Sequence, residues 1–421
     1  MFYFFYDIFL ILASMIYLPF YALRGRVHRE ILTRLGFFKP SYFQDVKGRD
    51  VVWIHAVSVG EARAAESLLR LIREKWPHKR IVVSTVTPTG QAIIKRLLKE
   101  DELAFYAPLD ISFVVRRFLK TIAPGLLVIM ETEIWPNLIR LAKKRGSSVV
   151  VVNGRISDRS YLGYKKIKPV LEPILDRIDL FCMQTDESAR RIQALGADPA
   201  KVKMTGNIKF DISSDLIESS LVARLKKALN GSLLFIAAST HENEEEMMVD
   251  IYKSVLKDFN NLRLLIAPRH VERIDKIRRM IRLHGLDTIR LSRLMPTSAG
   301  QVMLLDTVGD LSALYRLCDV TFVGGSLVPK GGHNLIEPAL FGKPIIFGRH
   351  MENFKEIRDV FVRENAAIEV DSPQNLEYEL RRILGNLSER KALGDRARSL
   401  LDKNRGAAQR TFSFIEEMIK R

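Results

Sequence analysis

The sequence lacks the motifs that identify several large classes of nucleotide-dependent enzymes. No G-x-G-x-x-G follows its first predicted strand, which argues against a dinucleotide-dependent dehydrogenase. No G-x-x-x-x-G-K-[ST] occurs, so the chain has no P-loop of the usual nucleoside triphosphatases. The chain also contains no Asp-x-Asp. Enzymes that hold a sugar-nucleotide diphosphate through a divalent metal often need such a pair, so the best sequence support for a metal is missing. The two cysteines, Cys182 and Cys318, form no metal-ligand pattern and no disulfide framework, which fits a reducing cytosol and buried apolar thiols.

Length and charge limit the domain organisation and the kinds of binding partner that the chain can have. The chain has 421 residues, more than one hydrophobic core usually holds, so two domains are expected. A hydrophobic content of 47% argues against disorder. The net charge of +17 suggests nucleic acid, an anionic membrane surface or an acidic substrate as the partner. No nucleic-acid-binding motif and no interleaving of aromatic and basic residues occurs, so nucleic acid is not expected.

The N-terminal segment Phe2–Leu23 is almost entirely apolar and, as a helix, could cover about 30 Å of hydrocarbon. It has no basic start and no cleavage site of a secretory signal. Basic residues follow it and favour a cytoplasmic location for that flank: Arg24, Arg26, Arg29 and Arg34. We therefore expect residues 1–23 to be a membrane anchor that contributes nothing to the folded sheets. Asp7 and Pro19 leave an interfacial helix open as well as a spanning one, and the alternative is a buried first helix of a soluble domain.

The rest of the chain alternates short apolar runs with amphipathic stretches. Runs this apolar suit strands that are buried on both faces, hence parallel sheets covered by helices. Ten strands are predicted: 50–56, 80–85, 125–130, 148–153, 179–183, 232–239, 262–267, 301–305, 319–325 and 343–348. The predicted fold class is α/β, with two Rossmann-like domains that face a central cleft. The expected divisions are 1–23 (anchor), 24–207 (first domain), 208–220 (linker), 221–402 (second domain) and 403–421 (a C-terminal helix that packs back on the first domain).

The stretch "GGSLVPKGGHNLIEPALFGKP", residues 324–344, is the strongest local indication of a site. Glycines allow a backbone to approach a ligand closely and to adopt positive φ. Asn334 and Glu337 are three residues apart at a predicted helix start and would face the same side. A carboxylate there could accept both hydroxyls of a ribose, and the helix N-terminus suits an anionic group. The motif indicates a nucleotide-sugar donor site, and the alternative is a capping box after a glycine-rich turn.

Seven sequence blocks together resemble the Kdo transferases, the enzymes that use 3-deoxy-D-manno-oct-2-ulosonic acid. In chain order they are "HAVSVGEARAA", "STVTPTG", "ETEIWPNLI", "GNIKFD", "AASTHENEEE", "PRHVER" and "FVGGSLVPKGGHNLIEPA". Two departures from the family pattern are Gly154 in "NGRIS", where alanine is frequent, and Arg349, where proline is common.

The resemblance implies a GT-B glycosyltransferase on the cytoplasmic side of the inner membrane. It implies transfer of Kdo from CMP-Kdo to the lipid A precursor of lipopolysaccharide, with inversion at the anomeric carbon and with neither metal nor cofactor. The acceptor would bind to the N-terminal domain and the donor to the C-terminal domain.

Inversion needs one base, and Glu61 is the candidate, because it follows a predicted strand and opens a helix. The helix N-terminus should favour its ionised form, and the alternative is an ordinary first-turn glutamate. Glu131 and Lys209 are expected to stabilise the transition state, although Lys209 could also be a solvated linker residue. Strand alternation would point Glu131 and Glu133 the same way, unless Glu133 merely caps the next helix.

The donor is doubly anionic and requires cations or backbone amides. The resemblance implies CMP or CMP-Kdo contacts at Pro268, Arg269, Gly309, Asp310, Leu311, Asn334, Leu335, Ile336 and Glu337. Contacts on the acceptor or sugar side are expected at Ser58, Gly60 and His241.

A basic segment, Arg140–Lys168, contains nine Lys or Arg and one acidic residue, and is expected to face an anionic membrane. Two other functions stay open at this point. One is a GT-B enzyme that uses another donor, such as a UDP-linked hexosamine. The other is a membrane-anchored nucleotide-binding module without catalysis, which would have no need of Glu61.

Overall fold

The computed structural model describes residues 1–23, 30–46, 48, 50–211, 220–294 and 301–420, with the backbone alone described for residues 17–23 and 40. Its strands are β1 Val51–His55, β2 Arg80–Thr85, β3 Leu103–Tyr106, β4 Leu126–Met130, β5 Ser148–Gly154, β6 Leu180–Met183, β7 Val202–Met204, β8 Leu233–Thr240, β9 Leu262–Pro268, β10 Thr288–Arg290, β11 Val302–Leu304, β12 Val320–Val323, β13 Ile345–Gly348 and β14 Ile368–Val370.

The helices are α1 Phe2–Leu23, α2 Ile31–Arg34, α3 Val59–Lys75, α4 Pro88–Leu97, α5 Ser112–Ile122, α6 Pro136–Lys144, α7 Asp158–Lys166, α8 Lys168–Leu175, α9 Asp186–Ala194, α10 Ser220–Leu229, α11 Glu244–Val255, α12 Ile274–Leu283, α13 Leu311–Leu314, α14 Ile336–Ala339, α15 Lys355–Arg363, α16 Pro373–Gly385, α17 Leu387–Asn404 and α18 Ala407–Lys420. Short 3₁₀ helices lie at Pro40–Val46, Pro199–Lys201, Ile208–Phe210, Val271–Arg273, Leu291–Arg293, Tyr315–Leu317 and Glu352–Phe354.

The chain divides into two compact units, residues 1–211 with 404–421 and residues 212–403. The first unit contains a seven-stranded sheet in the order β3-β2-β1-β4-β5-β6-β7, and the second a seven-stranded sheet in the order β10-β11-β9-β8-β12-β13-β14. Every strand pair in both sheets is parallel. The prediction of two parallel sheets in an α/β fold is confirmed. All carboxyl ends in one sheet lie at the same edge, which is where ligands of such sheets bind.

Helix α18 belongs to the first unit, although in the chain it follows the 192 residues of the second unit. Its Phe412 packs on Trp76, with ring centroids 4.6 Å apart. The Asp211 carboxylate accepts the backbone N–H groups of Gly406 and Ala408, at 2.6 and 2.5 Å, and so caps the start of this helix. Residues 208–211, assigned to the linker from sequence, lie within the first unit, whereas 212–219 fall outside the described residues.

The N-terminal helix α1 docks on the first unit through polar side chains. Asp7 accepts hydrogen bonds from the Ser112 backbone N–H at 2.9 Å and from the Asn137 side-chain amide at 2.8 Å. The Tyr6 hydroxyl donates to the Asp110 carboxylate at 3.1 Å. Residues 1–23 contribute no strand to either sheet, as expected, but α1 contacts the first unit through these side chains. Asp7, which in the sequence weakened the case for a spanning helix, accepts two of these hydrogen bonds.

The opposite face of α1 is apolar and exposed. Its exposed side chains are Phe2, Phe4, Phe5, Ile8, Phe9, Leu12, Met15 and Ile16. Among the residues described here, none of the helices combines the length and the apolar content needed to cross a bilayer. The spanning form of the predicted anchor is therefore not confirmed. Three of the flanking arginines on which its orientation depended, Arg24, Arg26 and Arg29, lie outside the described residues.

Candidate functional site

Glu61 lies in the first turn of α3, immediately after the carboxyl end of β1. Ser58 is the N-cap residue, and its hydroxyl accepts the Glu61 backbone N–H at 3.3 Å. In return the Glu61 Oε2 atom accepts the Val57 backbone N–H at 2.7 Å. This exchange resembles a capping box, so the ordinary first-turn role weighed in the sequence analysis is present.

The environment of Glu61 is unusual for a capping residue. Its side chain is only 3% exposed. Burial, with a smaller contribution from the nearby negative charge of Glu131, raises the pKa of Glu61 to about 7. This raised pKa contradicts the expectation that the helix N-terminus would keep Glu61 ionised, because loss of hydration outweighs the hydrogen bonds from Ser58 and Val57. A carboxyl group with a pKa near neutrality is suited to accept and release a proton.

Glu131 and Lys209 form an ion pair in the same unit. The Lys209 Nζ atom donates to Glu131 Oε1 at 2.7 Å, so Lys209 is not a solvated linker residue. Arg155 approaches the other carboxylate oxygen, with Nε 3.1 Å from Oε2. A Cβ placed on Gly60 would lie 3.8 Å from Lys209 Nζ, which brings the ammonium group to the start of α3. The described structure therefore brings Gly60, Glu61, Glu131 and Lys209 together at the carboxyl edge of the first sheet.

Glu133 does not join this group in the way that strand alternation predicted. Strand β4 ends at Met130, and Glu131 has a φ of +54°, so the alternation stops one residue before the pair. Glu133 accepts a hydrogen bond from Trp135 Nε1 at 3.1 Å. It does not cap α6 either, because the first N–H groups of α6 donate to the Asp110 carboxylate.

In the second unit, the glycine-rich turn after β12 encloses a carboxylate of the protein itself. Glu244, fully buried, accepts the backbone N–H groups of Gly325, Ser326, Leu327 and His241 at 2.7 to 3.1 Å. Burial nevertheless raises the pKa of Glu244. These N–H groups are thus occupied, so the first pair of glycines allows close packing around Glu244. A Cβ on Gly324 would lie 2.8 Å from the Ser239 carbonyl oxygen.

Two histidines face each other beside this turn. The Nε2 atoms of His241 and His333 are 3.0 Å apart, and the rings are nearly parallel, at 2°. At this distance the N–H of one ring donates to the other ring, in a direction set by their tautomers. The ring of His270 lies edge-on to His241, with centroids 5.9 Å apart. Burial and the surrounding cations, first His270 and then Lys330 and Arg269, lower the pKa of His241.

Asn334 and Glu337 lie together, as their spacing predicted. The Asn334 Nδ2 atom is 3.4 Å from Glu337 Oε1, and Asn334 Oδ1 accepts the Ile336 N–H at 3.1 Å. Asn334 therefore forms a local turn just before α14, whose N-cap residue is Leu335 with no side-chain cap. Burial raises the pKa of the Tyr315 phenol, and the nearby negative charge of Glu337 raises it further. These contacts leave a role for Glu337 in binding open.

The remaining predicted donor contacts follow other strands of the second sheet. Pro268 ends β9, and Arg269 comes next with an exposed side chain. Gly309, with a φ of +102°, precedes Asp310 and helix α13, which begins at Leu311. Leu335, which precedes α14, and Ile336, its first residue, have buried side chains and can present only backbone to a ligand. Because the strands are parallel, these segments share the carboxyl edge of the sheet with His241 and Glu337.

The basic segment Arg140–Lys168 is less open than its composition suggested. Lys143 pairs with Asp179 at 2.8 Å, and Arg155 pairs with Glu131. Arg140 donates to the Ser112 hydroxyl and covers the Tyr3 ring. The sequence shows charge but not these internal partners. Five exposed cations remain in the segment besides Arg155: Lys144, Arg145, Arg159, Lys165 and Lys166.

Sequence reasoning missed three residues that the structure associates with these sites: Arg155, Glu244 and His333. Arg155 is the first charged residue after β5, so a rule that counts charges at strand ends would have found it. Glu244 resembles any first-turn glutamate, and no sequence signal distinguishes it. His333 was part of the glycine-rich motif without an assigned role. Within the described ranges, no group of three or more His, Cys, Asp or Glu is arranged to hold a metal ion.

Comparison with known proteins adds independent information. Residues 29–212 match the family model described as 3-Deoxy-D-manno-octulosonic-acid transferase (kdotransferase). A 3-deoxy-D-manno-octulosonic acid transferase of Haemophilus influenzae is 35% identical over 425 residues, which cover 99% of both chains. One from Chlamydophila psittaci is 29% identical over 426 residues, which cover 99% of this chain and 96% of that protein.

Solved structures with low sequence identity resemble the fold. The UDP-GlcNAc 2-epimerase of Neisseria meningitidis aligns with a TM-score of 0.59 at 12% identity, over 88% of this chain and all of that one. A glycosyltransferase of Rickettsia africae aligns with a TM-score of 0.56 at 13% identity, over 89% of this chain and all of that one. At such identities the likeness supports the fold alone, an α/β architecture that resembles GT-B glycosyltransferases.

Proposed function

This chain belongs to the 3-deoxy-D-manno-octulosonic acid (Kdo) transferase family of glycosyltransferases, as its sequence blocks predicted, and we propose that it transfers Kdo from CMP-Kdo to the lipid A precursor of lipopolysaccharide. The reaction inverts the anomeric carbon and uses Glu61 as the general base. The acceptor binds to the first unit and CMP-Kdo to the second.

The buried position of Glu61 beside Glu131 and Lys209, at the carboxyl edge of the first sheet, supports this mechanism most directly, and burial raises the pKa of Glu61 to about 7. An acceptor hydroxyl becomes a competent nucleophile when its proton passes to a carboxylate as the new bond forms. The Glu61 carboxylate takes that proton, the hydroxyl oxygen bonds to the anomeric carbon of Kdo, and the bond from that carbon to the phosphate oxygen breaks. The electron pair leaves with CMP. One displacement of this kind inverts the configuration.

Glu131 and Lys209 act on the charges of this step. Positive charge develops on the Kdo ring as the phosphate leaves, and a carboxylate held in place stabilises it. Lys209 fixes Glu131 through the 2.7 Å hydrogen bond and supplies an ammonium group for the departing phosphate. Donors and acceptors that are already oriented need little rearrangement during the reaction, which is the main source of their effect.

The second unit offers the cations that a doubly anionic donor requires. Arg269 is exposed at the end of β9, and the His241–His333 pair lies close enough for the Arg269 charge to affect the pKa of His241. Glu337 is a suitable acceptor for the ribose hydroxyls of CMP. Backbone at Gly309, Asp310 and Leu311 completes the proposed nucleotide contacts.

A membrane location on the cytoplasmic side is supported by the docked helix α1. It contacts Ser112 and Asn137, at the N-terminal ends of α5 and α6, which follow β3 and β4. That is the carboxyl edge of the first sheet, the edge that also carries Glu61 and Glu131. The docked part of α1 therefore lies at the edge where the proposed lipid acceptor would be held. We propose an interfacial helix that brings this edge to an anionic leaflet.

The decisive experiment measures the product. Full-length protein is incubated with CMP-Kdo and tetraacyl lipid A precursor in detergent, and the lipid is weighed by mass spectrometry while CMP release is followed. An added Kdo mass with equal CMP release supports the proposal. Parallel reactions with UDP-linked hexosamines test the other glycosyltransferase, and tight CMP binding without any product would indicate a binding module.

A further inference from the structure

Asn153 has features that packing alone does not require. It lies near the end of β5, is fully buried, and has a φ of +58°. Asparagine is among the few residues that tolerate this left-handed conformation. Its Oδ1 atom accepts the backbone N–H of Ile208 at 2.9 Å, a residue 55 positions away. Gln184 Nε2 donates to the Asn153 carbonyl oxygen, also at 2.9 Å, and holds its backbone.

The partner of Asn153 is the residue directly before Lys209. Ile208 begins the 3₁₀ helix Ile208–Phe210, and the first N–H of such a turn has no acceptor within the turn itself. Asn207 Oδ1 accepts the next N–H, that of Lys209, at 3.0 Å. Two asparagine side chains thus fix the backbone from which the Lys209 side chain reaches Glu131.

The end of β5 is also joined to the end of β4, where Glu131 lies. The Arg155 backbone N–H donates to the Thr132 hydroxyl at 2.9 Å, and that hydroxyl donates to the Arg155 carbonyl oxygen. The Glu131 N–H donates to the Val152 carbonyl at 2.8 Å. Asn153 therefore lies between two fixed points: Glu131 is held on one side of it, and the turn that carries Lys209 on the other.

We propose that Asn153 is a positioning residue of the transfer reaction: its side-chain oxygen sets the distance between Lys209 and Glu131. This inference rests on the proposed functions of those two residues. Ile208 and Phe210 are buried and keep the segment in the domain without Asn153. Losing the hydrogen bond should therefore misplace Lys209 rather than unfold the protein. A misplacement of about 1 Å costs about 10²-fold in rate at a site of this kind.

The test replaces Asn153 with glycine, which keeps the positive φ without strain but removes the acceptor. In Asn153→Gly, kcat should fall roughly 10- to 100-fold while KM for CMP-Kdo stays unchanged. Asn153→Asp keeps an acceptor oxygen and tolerates the same φ, so it should restore most of kcat. Asn230→Gly is the matched control, because Asn230 also has a positive φ, +45°, but is exposed and lies in the second unit.

A double-mutant cycle distinguishes positioning from a general structural role. If Asn153 acts through Lys209, then Asn153→Gly causes no further loss of kcat in a Lys209→Met background. An equal loss in both backgrounds would overturn the proposal.

Hydrogen–deuterium exchange provides a readout that does not depend on activity. Peptides covering residues 205–211 should exchange faster in Asn153→Gly than in the wild type or in Asn230→Gly. Unchanged exchange would show that Asn153 does not hold the turn. If Lys209→Met alone had normal kcat, the proposed function of Lys209 would fail instead, and with it the catalytic purpose of Asn153, whatever the exchange result.

Discussion

Lys209 and Glu131 are 78 positions apart in the chain, yet the Lys209 ammonium donates to the Glu131 carboxylate at 2.7 Å. Glu131 follows a central strand of the first sheet, whereas Lys209 lies in a short turn after an edge strand. With Arg155 on its second oxygen, Glu131 is held from two sides. The negative charge of Glu131 nevertheless contributes to the raised pKa of the nearby Glu61. The proposed base and the proposed stabilising pair are therefore electrostatically coupled.

Removal of the Lys209 ammonium should lower kcat sharply. In Lys209→Met we expect a loss of about 10²- to 10³-fold, the range seen when one oriented stabilising group is removed. Initial rates of CMP release at saturating CMP-Kdo measure it. Lys203→Met is the control, since Lys203 is a half-buried lysine on the neighbouring strand β7. Near-normal kcat in Lys209→Met would remove Lys209 from the mechanism.

The coupling predicts a pH profile for transfer. Glu61 must be deprotonated to act as a base, so kcat/KM, which reports ionisation in the free enzyme, should rise with pH through a midpoint near 7. In Glu131→Gln the neighbouring negative charge is lost, so the pKa of Glu61 falls and the midpoint moves to lower pH. The affinity for CMP, measured by calorimetry across the same pH range, shows whether donor binding rather than Glu61 causes this rise. If the midpoint of the pH profile were the same in Glu131→Gln as in the wild type, the electrostatic coupling between Glu131 and Glu61 would be contradicted.

Stability offers a test of Glu61 that needs no substrate. Its pKa is raised on folding, from 4.5 to about 7, so the native protein binds the proton more tightly than the unfolded chain. Wild-type stability should then fall as pH rises from about 4.5 to 7, because the buried carboxylate must ionise. Glu61→Gln removes this cost and still accepts the Val57 N–H. Its unfolding temperature should exceed that of the wild type by a few degrees at pH 8 but hardly at pH 4.5. A constant difference would refute the raised pKa.

The strands that the sequence predicted and those it missed differ in position. All ten predicted strands are observed, with ends within a few residues, and they occupy the inner positions of both sheets. The four missed strands, β3, β7, β10 and β14, are the four edges. An inner strand is covered on both faces and must be apolar throughout, which makes it visible in the sequence. An edge strand is short and partly exposed, as the intermediate burial throughout β10 illustrates.

The site residues divide in a similar way. Glu61 and Glu337 are close to short, recognisable motifs, so their neighbourhood follows from local spacing. The environment of Glu61 does not, because its pKa depends on burial by distant segments and on Glu131. Glu244 and Asn153 could not be identified from sequence for the same reason. Apart from the His241 N–H on Glu244, the backbone N–H groups that these two side chains accept lie more than 50 residues away, and a backbone group has no side-chain identity to read.

Glu337 should contribute to nucleotide affinity. Glu337→Gln keeps one acceptor where a ribose diol can use two, and a hydrogen bond to a charged group contributes about 1.5–3 kcal/mol. The Kd for CMP should therefore rise roughly tenfold to 100-fold by calorimetry. Glu352→Gln, an exposed glutamate of the same unit, is the control. Unchanged affinity together with a lower unfolding temperature would return Glu337 to a purely structural function beside Asn334.

Helix α1 should have two separable functions, one on each face. Asp7 on the docked face accepts two hydrogen bonds, so Asp7→Ala should loosen the helix and make it more sensitive to limited proteolysis. Deletion of residues 1–23 should lower the unfolding temperature of the first unit by a few degrees, since it also uncovers the polar groups of Ser112, Asn137 and Asp110. A truncated protein with unchanged stability would show that the docking contributes nothing.

The outer face should hold the protein on membranes. Phe4 and Phe9 are each 66% exposed, and burying such a side chain in lipid is worth about 1.5–3 kcal/mol. The double variant Phe4→Ser/Phe9→Ser should therefore bind anionic vesicles at least tenfold more weakly in a sedimentation assay, with its unfolding temperature unchanged. Leu283→Ser is the control, because Leu283 is 87% exposed but lies in the second unit.

Wild-type binding should persist at high salt, since apolar insertion is not screened, whereas the residual binding of the double variant depends on exposed lysines and should disappear. If the double variant resisted salt as the wild type does, the attachment would lie elsewhere on the protein, and α1 would be only a structural helix of the first unit.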